Sequence, residues 1–410
     1  MTSNRVVVTG IGVVSPFGVG LEAYWNGLLQ GETEIGVVPT FSADRFRSVL
    51  GAQVPAAAVQ GLAALAVDNK PFDKGALFAS FAVDEALRMA GVGPVFGSEQ
   101  RVGCVLGSLC AGIDNLIMVA ESYHEGQELA ADFPYDAALV NYQLEYLSRK
   151  HNLTGPTSIV STACASTTDA IGYGMDLIRH QECDAVIVGG GDILAELIHA
   201  GFNALYSITN STPRPFDTRR DGFAIGEGGG ILYLESLESA TRRQARIYAE
   251  ISGYGLSNTA FHLTATSNDG VGEALAIERA LDDAGLAPHQ VDYINTHGTA
   301  TVHNDRSEMK AINKVFGEHA QRIMASSNKP LIGHCMGAAG IMEAISTVMA
   351  LETQIVPATP FTSGDESELS FDLVKNQPRP AKLVHAISQS FGFGGACSCV
   401  VFSKPEYRGV

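Results

Sequence analysis

Positive charge is scarce in this sequence: 27 Lys and Arg stand against 44 Asp and Glu, a net charge of −17. A protein that grips a phosphate backbone needs a basic face, so the balance argues against nucleic acid as a partner. Long apolar runs are missing as well. No uncharged apolar stretch reaches the ~18 residues that a membrane span requires. The opening MTSNRVVVTGIGVV has Arg5 as its only basic residue and reads as the start of a domain, not as a leader. The seven cysteines (Cys104, Cys110, Cys164, Cys183, Cys335, Cys397, Cys399) are odd in number and form no CxxC pair. Neither a disulfide framework nor a zinc site is expected, and a reducing, cytoplasmic setting fits. Charged residues make up only 17% and hydrophobic ones 46%, which rules out a disordered chain and supplies a large core. At ~150 residues per domain, the chain has room for two or three domains or one large body.

Glycine is what the sequence has in excess, about 11% against an average of ~7%. The glycines close short β-branched runs: RVVVTGIGVVSPFG at 5–18, VGCVLGSLCAG at 102–112, DAVIVGGGD at 184–192 and FGFGGACSCVVF at 391–402. Such runs read as buried strands. Between them lie helical stretches, LFASFAVDEALRMAG at 77–91 and GEALAIERALDDAGL at 272–286, so the fold class is α/β. An internal echo is visible. A small-residue turn, a helix and a strand follow Cys164, and the same plan follows His334. Cys164 lies 22 residues before Val186, and His334 lies 21 before Ile355. The openings at 5–14 and 246–255 each end in Gly-x-Gly. Two fused halves of similar topology are expected, 1–250 and 251–410, sharing one body because no Pro/Ser-rich linker parts them.

Cys164 sits in STACAS (161–166), at the expected start of a helix. There the positive end of the helix dipole and unpaired N–H groups favour thiolate. The plainer reading is a small buried cysteine. His297, in NTHGTAT, and His334, in KPLIGH, both stand at a strand or helix end, where site residues gather in α/β folds. Either alone reads as structural, but a Cys and two His flanked by Gly, Thr and Ala are harder to dismiss. A metal site is the rival; no His pair has i, i+4 spacing and no acidic motif accompanies them. GIGVVS at 10–15 lacks the third glycine of a dinucleotide fingerprint, and GEGGG at 226–230 lacks the Lys and Ser/Thr of a P-loop.

Taken together, these motifs resemble the β-ketoacyl-[acyl-carrier-protein] synthases, condensing enzymes of the thiolase fold. The likeness runs through VVVTGIGVVSPFG, TACAS, PFDTRRDGFAIGEGGGILYLE (215–235), HGTATVHNDRSE (297–308), SSNKPLIGHCMGAAGIMEA (326–344) and SFGFGG (390–395). It implies two βαβ-rich halves in an αβαβα layered body. It also implies an acyltransferase that joins malonyl units to a Cys-bound acyl chain, in fatty-acid or polyketide biosynthesis. By the same resemblance Cys164 is the nucleophile, and His297 and His334 donate to the enolate oxygen. The backbone N–H groups of Cys164 and Phe393 form the oxyanion hole, with Phe393 also a gate. Lys329 stabilises the site's charge, Glu308 orients Lys329, and Glu343 is a structural ion-pair partner. Thr299 and Thr301 bind the phosphopantetheine arm. No metal or intrinsic cofactor is implied, since the substrates ride on the carrier's arm. The implied partners are acyl carrier protein and a second subunit, either a copy of this chain or a homologue that sets chain length.

Departures from that pattern point towards specialised systems. Ala396-Cys397 replaces the usual Thr-Asn, Tyr206 replaces an often basic residue, and the loop NSTPRPFD at 210–217 is short. ARIYAEISGYG and HNDRSE are similar to ketosynthase subunits of type II polyketide systems. Cys110 stands where many relatives place a branched aliphatic at the acyl pocket, and is expected to admit longer or stiffer chains. An acidic carrier needs a local basic patch; Lys70, Lys74, Arg219 and Arg220 are the candidates, against the plainer reading of a solvated surface. Two rivals from other classes remain. One is a non-catalytic partner subunit, opposed by the intact Cys-His-His-Lys set. The other is a coenzyme A-dependent thiolase using Cys397 or Cys399.

Overall fold

Strand β1 (Val6–Ser15) buries all ten of its residues in the computed structural model, which describes residues 5–64, 73–129, 133–365, 367 and 369–405. A strand apolar on both faces has to be covered on both. Its Gly-x-Gly marks one cover. A Cβ at Gly10 or Gly12 would lie 2.1 or 1.9 Å from the carbonyl oxygens of Ala86 and Ala82, on helix α1 (Lys74–Ala90). The second Gly-x-Gly has the same cause. Gly253 and Gly255 would meet Ala280 and Ala276 at 2.3 and 2.1 Å, on the helix Val271–Ala284. The two motifs that open the halves are places where a helix lies directly on a strand.

The central sheet continues with β2 (Val102–Gly107), β3 (Thr157–Val160), β4 (Ala185–Asp192), β5 (Gly228–Ser236), β6 (Ala249–Asn258), β7 (Tyr293–Asn295), β8 (Met324–Ser326), β9 (Asp372–Leu373), β10 (His385–Phe391) and β11 (Ala396–Ser403). Among the described residues its order is β9-β8-β7-β10-β11-β6-β1-β5-β4-β2-β3, with Gly18–Val19 paired to β1. The first half reads β3-β2-β4-β5-β1 inward from its edge. The second reads β8-β7-β10-β11-β6, the same topology with β9 added. In each half the two outer pairings are parallel and the two inner ones antiparallel. The halves join where β1 runs antiparallel to β6, Val6 opposite Ile251.

Helix α1 covers β1, β4 and β5, while α3 (Val271–Ala284) covers β6 and β11. Next in the chain is α4 (Val302–Phe316), packed on α3. Helices α2 (Ser166–Arg179) and α5 (Ala339–Thr353) touch strands of both halves and each other. The layers therefore stack as helix, half-sheet, helix pair, half-sheet, helix, the thiolase-like architecture. The echo at Ile355 needs correction. Ile355–Val356 is a short strand paired with Arg379–Pro380, outside the central sheet. The counterpart of β4 is β10, because residues 355–380 intervene between helix and strand in the second half. Among the described residues no helix is long and apolar enough to cross a membrane.

Candidate active site

Cys164 is presented by a turn that costs backbone energy. Ala163, just before it, has φ 54°, a left-handed conformation that costs a residue bearing a Cβ about 1–2 kcal/mol. Local bonds hold it. The Thr162 N–H donates to Ser166 Oγ at 2.9 Å, and Ser166 Oγ donates to the Ala163 carbonyl at 2.6 Å. Helix α2 then begins at Ser166. His297 follows β7. Its N–H and that of Gly298 donate to the two oxygens of Glu308 at 2.7 and 2.8 Å. His334 is clamped by its backbone to the 224–226 segment: its N–H donates to Ala224 O at 2.8 Å, and its carbonyl accepts from Gly226 N at 2.9 Å.

These elements bring the three residues together. Cys164 Sγ and a ring nitrogen of each histidine lie within 4.8 Å of one another. The imidazoles meet edge to face, centroids 5.4 Å apart. Lys329, fully buried, donates to the His297 carbonyl and to Glu343. Its Nζ also lies 3.4 Å from His297 Nδ1. An ammonium can only donate, so Nδ1 accepts and the ring proton of neutral His297 sits on Nε2. Burial, then the Lys329 charge, push both imidazoles well below their usual range, so both are neutral at pH 7. The same three atoms resemble a metal ligand set, but the adjacent ammonium opposes a cation there.

Burial raises the Cys164 thiol to about 12, only partly offset by Lys329. The expectation of a resting thiolate is therefore overturned: desolvation outweighs the helix N-terminus in the closed site. A second correction concerns Glu308. It holds the His297 and Gly298 backbone and accepts from Asn304 and Gln389, while the partner of Lys329 is Glu343. Burial raises both acids to about 7.

A cleft leads from the surface to Cys164, lined among others by His297, His334, Thr299, Thr301, Phe202, Phe223 and Phe393. The hydroxyls of Thr299 and Thr301 are 2.9 Å apart. Phe393 is half-buried, with its ring against Phe202 at 5.3 Å, and is followed by Gly394 and Gly395 at φ 80° and 83°. Only glycine adopts that pair of conformations readily. Cys110 is buried beside the cleft in an apolar cluster with Phe202, Ile193 and Phe78, not in the cleft wall.

The basic candidates scatter. Lys70 lies outside the described residues. Lys74 pairs with buried Glu227, and Arg219 forks onto Asp217. Arg220 is buried, bonded to the Asp217 and Val302 carbonyls, so it is no docking residue. Tyr206 is exposed under the Arg47 guanidinium, and Cys397 is buried in β11.

Sequence reasoning missed Asp192. It is buried at the end of β4 and accepts from Leu109 N, Cys110 N and Gly337 N at 2.9, 2.9 and 2.7 Å, and from the Ser108 hydroxyl. It binds the Cys110 loop to the turn before α5. Its signal was a lone acid closing an apolar strand, VIVGGGD.

A thiol facing two neutral imidazoles at the meeting of two like α/β halves defines a thiolase-like acyl-transfer site. Residues 3–240 match the family "Beta-ketoacyl synthase, N-terminal domain" and residues 248–362 match "Beta-ketoacyl synthase, C-terminal domain". The chain belongs to the beta-ketoacyl synthase family. It is 35% identical to the 3-oxoacyl-[acyl-carrier-protein] synthase 2 of Coxiella burnetii, over 98% of this chain and 99% of that one. Its fold matches a chain of the ishigamide ketosynthase/chain length factor, with TM-score 0.89 and 31% identity, over 98% of this chain and 100% of that one. It matches equally a chain of the AntDE:AntF complex, a type II polyketide acyl-carrier protein with its ketosynthase bound to the hexaketide. That match has TM-score 0.89 and 30% identity over the same shares.

Proposed function

We propose that this protein is an elongating β-ketoacyl-[acyl-carrier-protein] synthase, with Cys164 as nucleophile. The observation that carries the reading is the 4.8 Å grouping of Cys164 Sγ with nitrogens of His297 and His334. Because the resting thiol is protonated, attack on the acyl thioester needs a base, and His334 supplies it, since His297 carries its proton on Nε2 and accepts from Lys329 at Nδ1. The thiol proton passes through that imidazole to the leaving carrier thiol. Malonyl-carrier protein then enters along the cleft, its arm held by Thr299 and Thr301. The bond to its carboxylate breaks, CO₂ leaves, and the electron pair becomes an enolate. The Nε2 proton of His297 holds the enolate oxygen, such a donor being worth about 3–4 kcal/mol. The carbanion attacks the Cys164 thioester carbonyl, whose oxygen turns to the N–H groups of Cys164 and Phe393. The C–S bond breaks, and the leaving thiolate takes up one proton from solvent. Decarboxylation drives the sequence, so no resident cofactor has a step in it; the substrates arrive on the carrier's phosphopantetheine.

Lys329 acts by locking the His297 tautomer, and Phe393 swings as a gate on its glycines. The cluster holding Cys110 receives the acyl chain. The division 1–250 and 251–410 is functional in this scheme: the first half brings the nucleophile, the second the two histidines and Lys329. Seven unpaired cysteines agree with a cytoplasmic setting. The similarity to a ketosynthase/chain length factor favours a second form of the reading, a ketosynthase subunit of a type II polyketide system working with a homologous partner. Solution mass after co-expression with its genomic neighbours separates that form from a homodimer.

The deciding experiment follows labelled CO₂ and ketoacyl product from malonyl-carrier protein with the wild type and Cys164→Ala. The expected result is condensation by the wild type only, and CO₂ release by both. Absence of malonyl turnover in both would overturn the reading.

A further inference from the structure

Beyond its backbone bonds, the nucleophile turn is tied to the second half through one carboxylate. The Thr162 hydroxyl donates to Asp169 Oδ2 at 2.5 Å. Asp169 is buried in the first turn of α2. Its other oxygen accepts from Tyr254 Oη at 2.7 Å and from the Ser398 hydroxyl. Tyr254 belongs to β6 and Ser398 to β11, both in the second half. Strand β11 is the strand into which the Phe393 loop runs. That loop crosses directly over the turn: a Cβ at Gly392 would lie 2.8 Å from Thr162 O and 3.2 Å from Cys164 N. One carboxylate thus holds the nucleophile turn with one oxygen and the base of the Phe393 loop with the other. Among the described residues its hydrogen-bond partners are these three hydroxyls, and no ion pair to it occurs. Hydroxyl donors are directional, so this arrangement fixes distances rather than neutralising charge.

We propose that Asp169 is a positioning residue for the oxyanion hole, setting the spacing between the backbone N–H groups of Cys164 and Phe393. The proposal rests on the condensing reading above. It predicts a split between the two half-reactions. Decarboxylation uses the histidines, which Asp169 does not touch. Carbon–carbon bond formation uses the two N–H groups, whose register it holds. Displacing a preorganised oxyanion donor costs about 10²–10³ in kcat.

The test measures decarboxylation and condensation separately on the same preparations of wild type, Asp169→Ala, Thr162→Val and Tyr254→Phe, with acyl- and malonyl-carrier protein. Asp169→Ala should lower the condensation kcat about 10²-fold, leaving KM for the carrier and the decarboxylation rate within about threefold of wild type. Thr162→Val, nearly the same size and shape, should show the same split and keeps the test sound if Asp169→Ala folds badly. Tyr254→Phe should lose less. Loss of both half-reactions by one factor in Thr162→Val and Asp169→Ala would reduce Asp169 to a structural residue. Unchanged condensation in both would also overturn the proposal. A wild type that condenses keeps the functional reading standing in either case, whereas a wild type that does not condense sinks that reading first.

Discussion

The turn before α2 and the turn before α5 are the same piece of backbone used in opposite ways. Each opens on a left-handed residue that is not glycine, Ala163 at φ 54° and Met336 at φ 51°, which begins a short 3₁₀ segment leading into a helix. By position Cys164 corresponds to Gly337. Cys164 faces a cleft. Gly337 faces protein: its N–H donates to Asp192, and a Cβ there would lie 2.6 Å from Leu109 N and 2.7 Å from Asp192 Oδ2. The first helix even caps the second, Thr167 Oγ1 donating to Gly337 O and accepting from Ile341 N. One helix turn deeper the contrast reverses. The fifth residue of α5 is Glu343, paired with Lys329, and the fifth of α2 is Ala170. The turn geometry thus belongs to the fold, and chemistry belongs to whichever copy is left uncovered. The sealed copy supplies the charge pair that orders the open one.

Three perturbations test that contrast. The largest effect is expected from Lys329→Met, which leaves buried Glu343 without its partner; removing one partner of a buried pair costs about 3–5 kcal/mol. Denaturant melts should show this loss, with Lys329→Met/Glu343→Gln recovering most of it. Gly337→Ala should cost about 1–3 kcal/mol by overpacking the sealed turn, whereas Cys164→Ala should leave stability nearly unchanged. Equal losses at the two positions would erase the distinction. The smallest effect concerns the open turn alone. With its pKa raised to about 12, the Cys164 thiol releases its proton only in alkali. Inactivation by iodoacetamide should therefore rise about tenfold per pH unit from 7 to 10, tracking the thiolate. A plateau below pH 8 would show a resting thiolate.

Much of this site was legible because its parts are local. A nucleophile in a run of small residues, a histidine after an apolar strand and a histidine before a second small-residue helix are short motifs, and the structure brings all three together. The layered class was legible from glycine-closed strands alternating with helices. What escaped was non-local. Glu308 looked like the partner of Lys329, but the nearest acid to that ammonium is Glu343, one helix turn inside α5. Asp192 and Asp169 bind groups 80 or more residues away, so no spacing along the chain announces them. The thiol's ionisation was misjudged because a helix end is visible in sequence, whereas the dryness of its surroundings is not. The strand echo slipped because a detour of some two dozen residues, 355–380, separates α5 from β10.

The seam between β1 and its neighbours has a consequence for synthesis. Apart from Gly18–Val19, the partners of β1 are residues 229–236 and 249–251. At ribosomal speeds of about 5–20 residues per second, this ten-residue segment waits roughly 10–50 s for its first long-range strand partner. Throughout that interval VVVTGIGVVS has only its short hairpin to Gly18–Val19 and the helix Lys74–Ala90 to cover it, and both of its long strand edges stay open on the nascent chain.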